Sequence, residues 1–193
     1  AIAITEPDGT SSYRAPDGAM TQSQPDGTIL HRAADGTMTM TGADGVISTR
    51  TPTGTSSIVQ PDGATTIVAV GGVMTTTDVD GTVTTTLPDG TVTRLDTDGW
   101  SFSTDAEGSE TTIQPDGTTT VTHLDGTELV TYTDGSTVLR DTDGSRTFTY
   151  PDGSTFQQLA DGASISTEAD GSTTVTNPDG SYKSTNADGS TIH

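Results

Sequence analysis

Aspartate recurs along this chain at a spacing that could place one carboxylate on every turn of a repeat. Glycine stands at every ninth residue from Gly9 to Gly189, and aspartate precedes it in all but three of these 21 positions. Carboxylates bind Ca²⁺ in RTX-like nonapeptide β-rolls, whose GGxGxD turns supply several ligands each. Here each turn offers only one. We therefore predict that the aspartates form turns and confer solubility, and calcium binding is the alternative.

No other set of side chains has the spacing of a reactive centre. His31, His123 and His193 are far apart in sequence and lack the spacing of metal ligands. No pair of acids is placed for general acid–base work, and no serine lies in a nucleophile elbow. The single glycines follow aspartate and do not form a phosphate-binding loop. We predict no enzymatic activity, no catalytic, cofactor-binding or metal-binding residue, and no cofactor.

Composition and charge exclude several classes of partner. The 193 residues carry 27 acidic and 7 basic side chains, which give a net charge of −20. This charge argues against binding to nucleic acid and to anionic membranes. Only 28% of the residues are hydrophobic and none is cysteine, so neither a conventional core nor a disulfide framework is expected.

The turns are built on Pro-Asp-Gly. All nine prolines stand two residues before a glycine of the nine-residue grid. Proline, aspartate and glycine suit successive positions of a type I turn that ends in a left-handed residue, which forms a three-residue hairpin loop with a G1 bulge. A two-residue Asp-Gly loop is the rival, but it would place proline where the ladder needs an N–H. The six residues between loops are predicted to be strands.

Three-residue loops predict which residues share a face of the sheet. Each nine-residue repeat is numbered 1 to 9 with its glycine last. One face then carries positions 2, 4 and 6 of odd repeats and positions 1, 3 and 5 of even repeats. Fifteen charged residues lie outside the turns, and this scheme places all but three of them on that face. The charged face holds Glu6, Arg14, Arg32, Arg50, Asp78, Arg94, Asp96, Glu110, Glu128, Arg140, Arg146 and Glu168, and the other face holds Asp105, Asp141 and Lys183. The scheme also sets Glu128 opposite Arg140, a favourable cross-strand pair.

Two architectures satisfy the resulting period of 18 residues. We predict an all-β, single-layer antiparallel meander of about 21 six-residue strands, because a bulged type I turn joins strands about 4.8 Å apart. A parallel β-solenoid with 18 residues per coil is the alternative.

The Thr82/Thr84/Thr86 and Thr118/Thr120/Thr122 sets suggest an ice-binding surface. We expect the two sets on opposite faces, however, and the strand propensity of threonine explains them.

The repeats resemble a known family. Segments such as Tyr150-Pro151-Asp152-Gly153-Ser154 and Leu87-Pro88-Asp89-Gly90-Thr91 are similar to the repeats of the T-complex protein 10 C-terminal domain, the G-box of the CPAP/Sas-4 family. The resemblance implies a free-standing antiparallel sheet without a normal core. It also implies a scaffolding role, in which one face binds a proline-containing segment of a partner and sheets join end to end.

These observations predict a structural repeat protein. Residues 1–193 are expected to form one continuous nonapeptide-repeat β domain, either alone or within a longer array. We expect it to bind itself, by sheet stacking and edge pairing, in an extracellular or cell-surface filament or matrix. A binding module is the alternative: a calcium-binding roll, an ice-binding surface, or a scaffold that docks a protein partner on an open face, in a cytoskeletal or centriolar setting by resemblance.

Overall fold

The structure, a computed structural model, describes residues 1–192, and these form strands and turns without a helix. No helix that could cross a membrane is therefore found among them. The chain divides into two units, and the first comprises Ala1–Thr97. Its strands are β1 (Ile2–Thr5), β2 (Ser11–Arg14), β3 (Met20–Ser23), β4 (Ile29–Arg32), β5 (Met38–Thr41), β6 (Ile47–Arg50), β7 (Ser56–Val59), β8 (Thr65–Val68), β9 (Met74–Thr77), β10 (Val83–Thr86) and β11 (Val92–Leu95).

The second unit begins at Asp98 and repeats the same pattern. Its strands are β12 (Ser101–Thr104), β13 (Glu110–Ile113), β14 (Thr119–Thr122), β15 (Glu128–Thr131), β16 (Thr137–Arg140), β17 (Arg146–Thr149), β18 (Thr155–Gln158), β19 (Ser164–Thr167), β20 (Thr173–Thr176), β21 (Tyr182–Thr185) and β22 (Thr191–Ile192).

Within each unit, every strand pairs antiparallel with the next strand in the chain. Glu128 pairs with Arg140 across β15 and β16, and Arg140 pairs with Arg146 across β16 and β17. The all-β antiparallel prediction is therefore confirmed, and the solenoid alternative is wrong, since a solenoid would pair each strand with the next but one. Paired residue numbers have the same parity throughout. Within each unit, even-numbered strand residues thus form one surface, the even face, and odd-numbered residues form the odd face.

The turns use the aspartate as a hydrogen-bond acceptor for the backbone. Gly153 N–H donates to the Tyr150 carbonyl over 2.9 Å, which closes the turn, and Gly153 has a φ of 86°. Tyr150 N–H donates to the Ser154 carbonyl, also over 2.9 Å. The Ser154 backbone N–H, at 2.9 Å, and its hydroxyl, at 2.7 Å, both donate to Asp152 Oδ1. The loop thus consists of Pro151, Asp152 and Gly153, and the register follows from it.

The strands are shorter and more numerous than predicted. Each contains four residues, except for the two of β22, and there are 22 strands in the described residues. The first and sixth positions of each repeat leave the ladder because the turn takes their backbone groups: the Tyr150 carbonyl accepts from Gly153, and the Ser154 N–H donates to Asp152. Twenty-one turns also separate 22 segments, because a strand precedes the first turn.

Turns that lack the usual aspartate find other partners. Glu107 replaces aspartate in one turn, and there the Ser109 N–H donates to Asp105 Oδ1 over 2.8 Å. The turn at Gly144 keeps its usual aspartate, Asp143, and there the Ser145 hydroxyl also donates to Asp141 Oδ2 over 3.3 Å. Asp105 and Asp141 are two of the three charged residues assigned to the odd face, so turn formation accounts for their departure from the charge pattern.

The sheet has almost no core, because it consists of one layer. Val130 and Val138 pair across β15 and β16 and are only 6% and 5% exposed. Phe148 and Phe156 continue this row on the even face, with ring centroids 6.0 Å apart. Apolar side chains are therefore buried mainly by lateral contact with neighbours on the same face.

The expected separation of the two threonine sets is wrong. Thr84 pairs with Thr76 and Arg94 in the first unit, and Thr120 pairs with Thr112 and Val130 in the second. The strand residues of both sets, Thr84, Thr86, Thr120 and Thr122, therefore lie on the even face of their own unit.

Glycine also allows turns on the same edge of the sheet to approach each other. A Cβ added at Gly126 would lie 3.2 Å from Thr142 Cγ2 of the next turn on that edge, whereas one added at Gly135 would meet nothing within 4 Å. The two glycines have φ values of 87° and 85°, so a side chain would strain both backbones equally.

Alanine at Gly126 should therefore destabilise the protein more than alanine at Gly135. Both variants lose roughly 1–3 kcal/mol from the positive φ. Gly126→Ala loses roughly 1 kcal/mol more, because the β-branched Thr142 side chain is stiff and must shift. Urea unfolding measures the difference. Equal midpoints for the two variants would show that the turns do not restrict each other.

The turn aspartates also predict how stability depends on pH. The hydroxyl and then the backbone N–H of Ser136 lower the pKa of Asp134, and Ser154 and Ser181 lower those of Asp152 and Asp179 in the same way. Because the folded-state pKa is lowered, this stabilisation is fully present above about pH 4 and is lost below it.

A variant with Asp134→Asn, Asp152→Asn and Asp179→Asn should separate this effect from net charge. Asparagine keeps the Oδ1 acceptor but does not titrate. The melting temperature of the wild type should therefore fall more steeply than that of the variant below about pH 4. The charge-matched control replaces Glu6, Asp78 and Glu110 by their amides. If the melting temperatures of both variants depend on pH in the same way, the turn carboxylates do not cause the loss of stability below about pH 4.

Candidate protein-docking surface

The even face of β2–β7 carries a row in which arginine and methionine alternate from strand to strand. Arg14 pairs with Met20, which pairs with Arg32 on its other side. Arg32 in turn pairs with Met38, and Met38 pairs with Arg50. The row therefore crosses five consecutive strands at right angles to the chain direction, and the register of the three-residue loops holds it in line.

A second row beside it completes an open groove. Gln22, Leu30, Met40, Ser48 and Ile58 follow one another across β3–β7. The two rows, apart from Arg14 at the end of the first, line a concavity of about 660 Å³, which is within the usual size of ligand sites. We call this surface the Arg–Met groove; its floor is apolar and its arginines lie along one side.

The apolar side chains of the groove are about half exposed to solvent. Met38 is 54% exposed, Met40 43% and Ile58 41%. In the second unit, by contrast, the valines of the even face are almost fully covered. Thioether side chains are flexible and polarisable and adapt to varied partners. A solvent-facing methionine cluster without a second layer is typical of a surface that another molecule covers.

The charge of the groove opposes that of the chain. The even-numbered strand residues of β2–β7 include Arg14, Arg32 and Arg50 and no acid. Elsewhere in the described residues, Arg140 binds Glu128 over 2.6 Å and Arg94 binds Asp96 over 2.8 Å. No ion pair within residues 1–192 involves Arg14 or the two groove arginines, Arg32 and Arg50. A local positive stripe therefore persists in a protein of net charge −20.

The turn carboxylates are occupied by the backbone. Asp8 Oδ1 accepts the Thr10 N–H over 2.9 Å, and this bond lowers the pKa of Asp8. Among residues 1–192 no cluster of three or more acidic or histidine side chains could hold a metal ion. His31 shares a 2.9 Å hydrogen bond with Thr21, and His193 lies outside the described residues. The absence of metal and cofactor sites stays a prediction.

Sequence patterns alone did not reveal the groove as a site. The 18-residue spacing of Arg14, Arg32 and Arg50 indicated the period of the repeat, but no site residue was predicted there. The signal that could have identified the groove is the combination of this spacing with Met20, Met38 and Met40 on the same face. The register shows the combination directly, since it alternates the two residue types in one row.

Comparison with known proteins agrees with the fold. The family model of the T-complex protein 10 C-terminus matches residues 106–139 and 125–158. The resemblance expected from the repeats is confirmed. No curated protein matches the chain in sequence.

Solved structures of TCP10 domains share the architecture. The CPAP G-box domain, described with a suggested role in centriole elongation, is 24% identical with a TM-score of 0.75, over 78% of this chain and 99% of that chain. The TCP10 domain of Danio rerio CPAP is 22% identical with a TM-score of 0.64, over 94% and 96%. Its complex with a peptide of Danio rerio STIL has 22% identity and a TM-score of 0.58, over 100% and 97%.

These matches correct two predictions. The extracellular filament or matrix is wrong, because the matching domains are from CPAP, whose G-box is described in connection with centriole elongation. Self-association is also wrong as the expected interaction, because the matching domain was solved with a peptide of a different protein. The abundant Thr, Asp and Gly and the lack of Cys reflect strand and turn chemistry, and they did not indicate a compartment. An open sheet face can be covered by a partner segment as well as by another sheet.

Calcium should not stabilise this protein. Carboxylates on the same edge recur every second strand, about 9–10 Å apart, and Ca²⁺ needs oxygens at roughly 2.3–2.6 Å. We expect the melting temperature to be the same with EDTA, millimolar Mg²⁺ and millimolar Ca²⁺. A rise with Ca²⁺ that Mg²⁺ does not reproduce would contradict this expectation.

Proposed function

We propose that this chain is a non-enzymatic scaffold that docks an extended segment of another protein in the Arg–Met groove. The observation that carries the proposal is the exposure of Met38, Met40 and Ile58 in an apolar concavity with no second layer above it. The complex of the Danio rerio CPAP domain with a STIL peptide supports this role for a sheet of the same fold.

The remaining features of the chain fit a passive scaffold. The turn aspartates are engaged in hydrogen bonds to the backbone, which leaves them a role in register. For the domain organisation, we propose that the repeats act as one continuous domain. For the setting, the proposal follows the cytoskeletal or centriolar alternative, which the description of the CPAP G-box supports.

The energetics indicate modest affinity. Covering the half-exposed side chains of Met20, Met38, Met40 and Ile58 contributes roughly 1 kcal/mol each. Association entropy offsets much of this sum. We therefore expect dissociation constants in the micromolar range or weaker, with specificity supplied by polar contacts.

Truncating the groove methionines should weaken docking selectively. Peptides selected from a random twelve-residue phage library on the wild-type chain serve as probes. Met38→Ala with Met40→Ala should weaken their binding about tenfold or more, because two apolar contacts are lost. The matched control is Ile29→Ala with Ile47→Ala, since these side chains are 41% and 37% exposed on the odd face of neighbouring strands. Fluorescence anisotropy of the labelled peptides measures their affinity for both variants.

Selected peptides should also perturb the backbone amide signals of β2–β7 in NMR spectra. The proposal fails if no peptide is enriched. It also fails if enriched peptides bind the methionine variant as well as the isoleucine control.

A further inference from the structure

Two arginines lie directly opposite each other on the even face of the second unit. Arg140 of β16 pairs with Arg146 of β17, and Glu128 of β15 pairs with Arg140 on its other side. Like charges that face each other across strands destabilise a sheet. Glu128 neutralises one of the two guanidinium groups, so one positive charge of this row has no counterpart on the neighbouring strands.

Hydrogen bonding leaves one edge of the Arg140 guanidinium unused. Its Nη1 donates to Glu128 Oε1 over 2.6 Å, whereas its Nε is buried and has no hydrogen-bond partner. Nε and Nη2 form one edge of the planar guanidinium, and Nη1 lies outside that edge. Such an edge binds oxyanions through two parallel N–H groups. A buried donor without a partner is rare in folded proteins, and a bound ion is one of the usual reasons for it.

Neighbouring side chains add donors and space beside Arg140. Arg146 is exposed, and its side chain makes no hydrogen bond or ion pair within residues 1–192. Gln158 of β18 pairs with Arg146 and contributes an amide. Arg146 and Gln158 line an open concavity of about 400 Å³ at one edge of the sheet. Three side chains with N–H donors thus lie in one row, on three adjacent strands.

The concavity forms where two turns on the same edge fail to touch. A Cβ added at Gly126 would lie 3.2 Å from Thr142 of the next turn, whereas one added at Gly144 would meet nothing within 4 Å. Ala160 occupies the position near Gly144 that Thr142 occupies near Gly126, and it lines the concavity. Its short side chain therefore leaves the space beside Arg146 open.

The acids of the turn between β16 and β17 are engaged by Ser145. Its backbone N–H donates to Asp143 Oδ1 over 2.8 Å, and its hydroxyl donates to Asp141 Oδ2 over 3.3 Å. Neither carboxylate forms an ion pair with Arg146 within the described residues. Asp143 also lines the concavity, so its negative charge opposes an anionic ligand and limits the affinity.

The arrangement of donors suits a phosphate group better than a carboxylate. A carboxylate has two coplanar oxygens, which a single guanidinium satisfies. A phosphate monoester has three acceptor oxygens and nearly two negative charges at neutral pH, so it can bridge two guanidinium groups on adjacent strands.

We infer that Arg140 and Arg146, together with Gln158, bind a phosphate group on the even face of the second unit. The phosphate is inorganic or is carried by a phosphorylated side chain of another protein, since both present the same oxygens. The site is separate from the Arg–Met groove and goes beyond the docking function proposed above.

NMR titration of the isotope-labelled chain with sodium phosphate tests the inference, with sodium chloride at equal ionic strength as the reference. We expect phosphate to shift the side-chain Nε–H signals of Arg140 and Arg146 and the backbone amides of β16–β18, with a dissociation constant of about 1 mM. The Nε–H signals of Arg32 and Arg50 should not move. Equal shifts at all arginines would show a general ionic effect and overturn the inference.

Substitutions separate the site from the net charge. Arg146→Gln should weaken phosphate binding about tenfold, because one guanidinium is lost. Lys183→Gln removes the same charge on the odd face of the second unit and should change the affinity by less than about twofold. Asp143→Asn keeps the turn acceptor but removes the opposing charge, and should strengthen binding about twofold. Circular dichroism of each variant checks that the sheet is retained.

A phosphoserine peptide flanked by glycines, together with its unphosphorylated form, identifies the source of the phosphate. Tighter binding of the phosphopeptide than of inorganic phosphate indicates a phosphorylated protein, and the reverse order indicates the free ion. The inference is wrong if neither binds, if the unphosphorylated peptide binds equally well, or if Arg146→Gln and Lys183→Gln have the same effect. The phage-selected peptides still decide the docking proposal, because they test the groove of the first unit.

Discussion

The register of every strand depends on one hydrogen-bonded turn. The left-handed glycine lets the chain reverse, and its N–H closes the turn on the carbonyl three residues earlier. The aspartate carboxylate then takes the N–H that follows the glycine. Because the same turn recurs every nine residues without an insertion, paired residue numbers keep the same parity throughout each unit. A one-residue slip in the pairing of any strand would move its side chains to the opposite face.

The constant register compensates for the missing core. A single layer cannot bury side chains from above, so stability must come from lateral contacts, ladder hydrogen bonds and the contacts between turns on one edge. Val130, Val138, Phe148 and Phe156 show how far lateral packing can proceed when large side chains occupy one row. Where methionine and arginine alternate, as in the first unit, the packing stays open.

The same regularity gives the groove a physical scale. Strand spacing is set by backbone hydrogen bonds and does not vary with side chains. Residues placed every 18 positions thus lie on every second strand, about 9.6 Å apart. Arg14, Arg32 and Arg50 have this spacing in an otherwise acidic protein.

Most of the architecture could be predicted from the sequence, because turn chemistry is local. The glycine grid, the prolines and the charge partition predicted the antiparallel sheet, the even and odd faces, and the pairing of Glu128 with Arg140. Strand length was missed, since the ladder ends where the aspartate captures a backbone N–H, a detail of turn geometry. Only the tertiary structure showed the groove. The exposure of Met38 and Met40 depends on how neighbouring rows of side chains pack, and residue periodicity contains no information about that packing. The sequence was least informative about location and partner, because the composition reflects strand and turn chemistry.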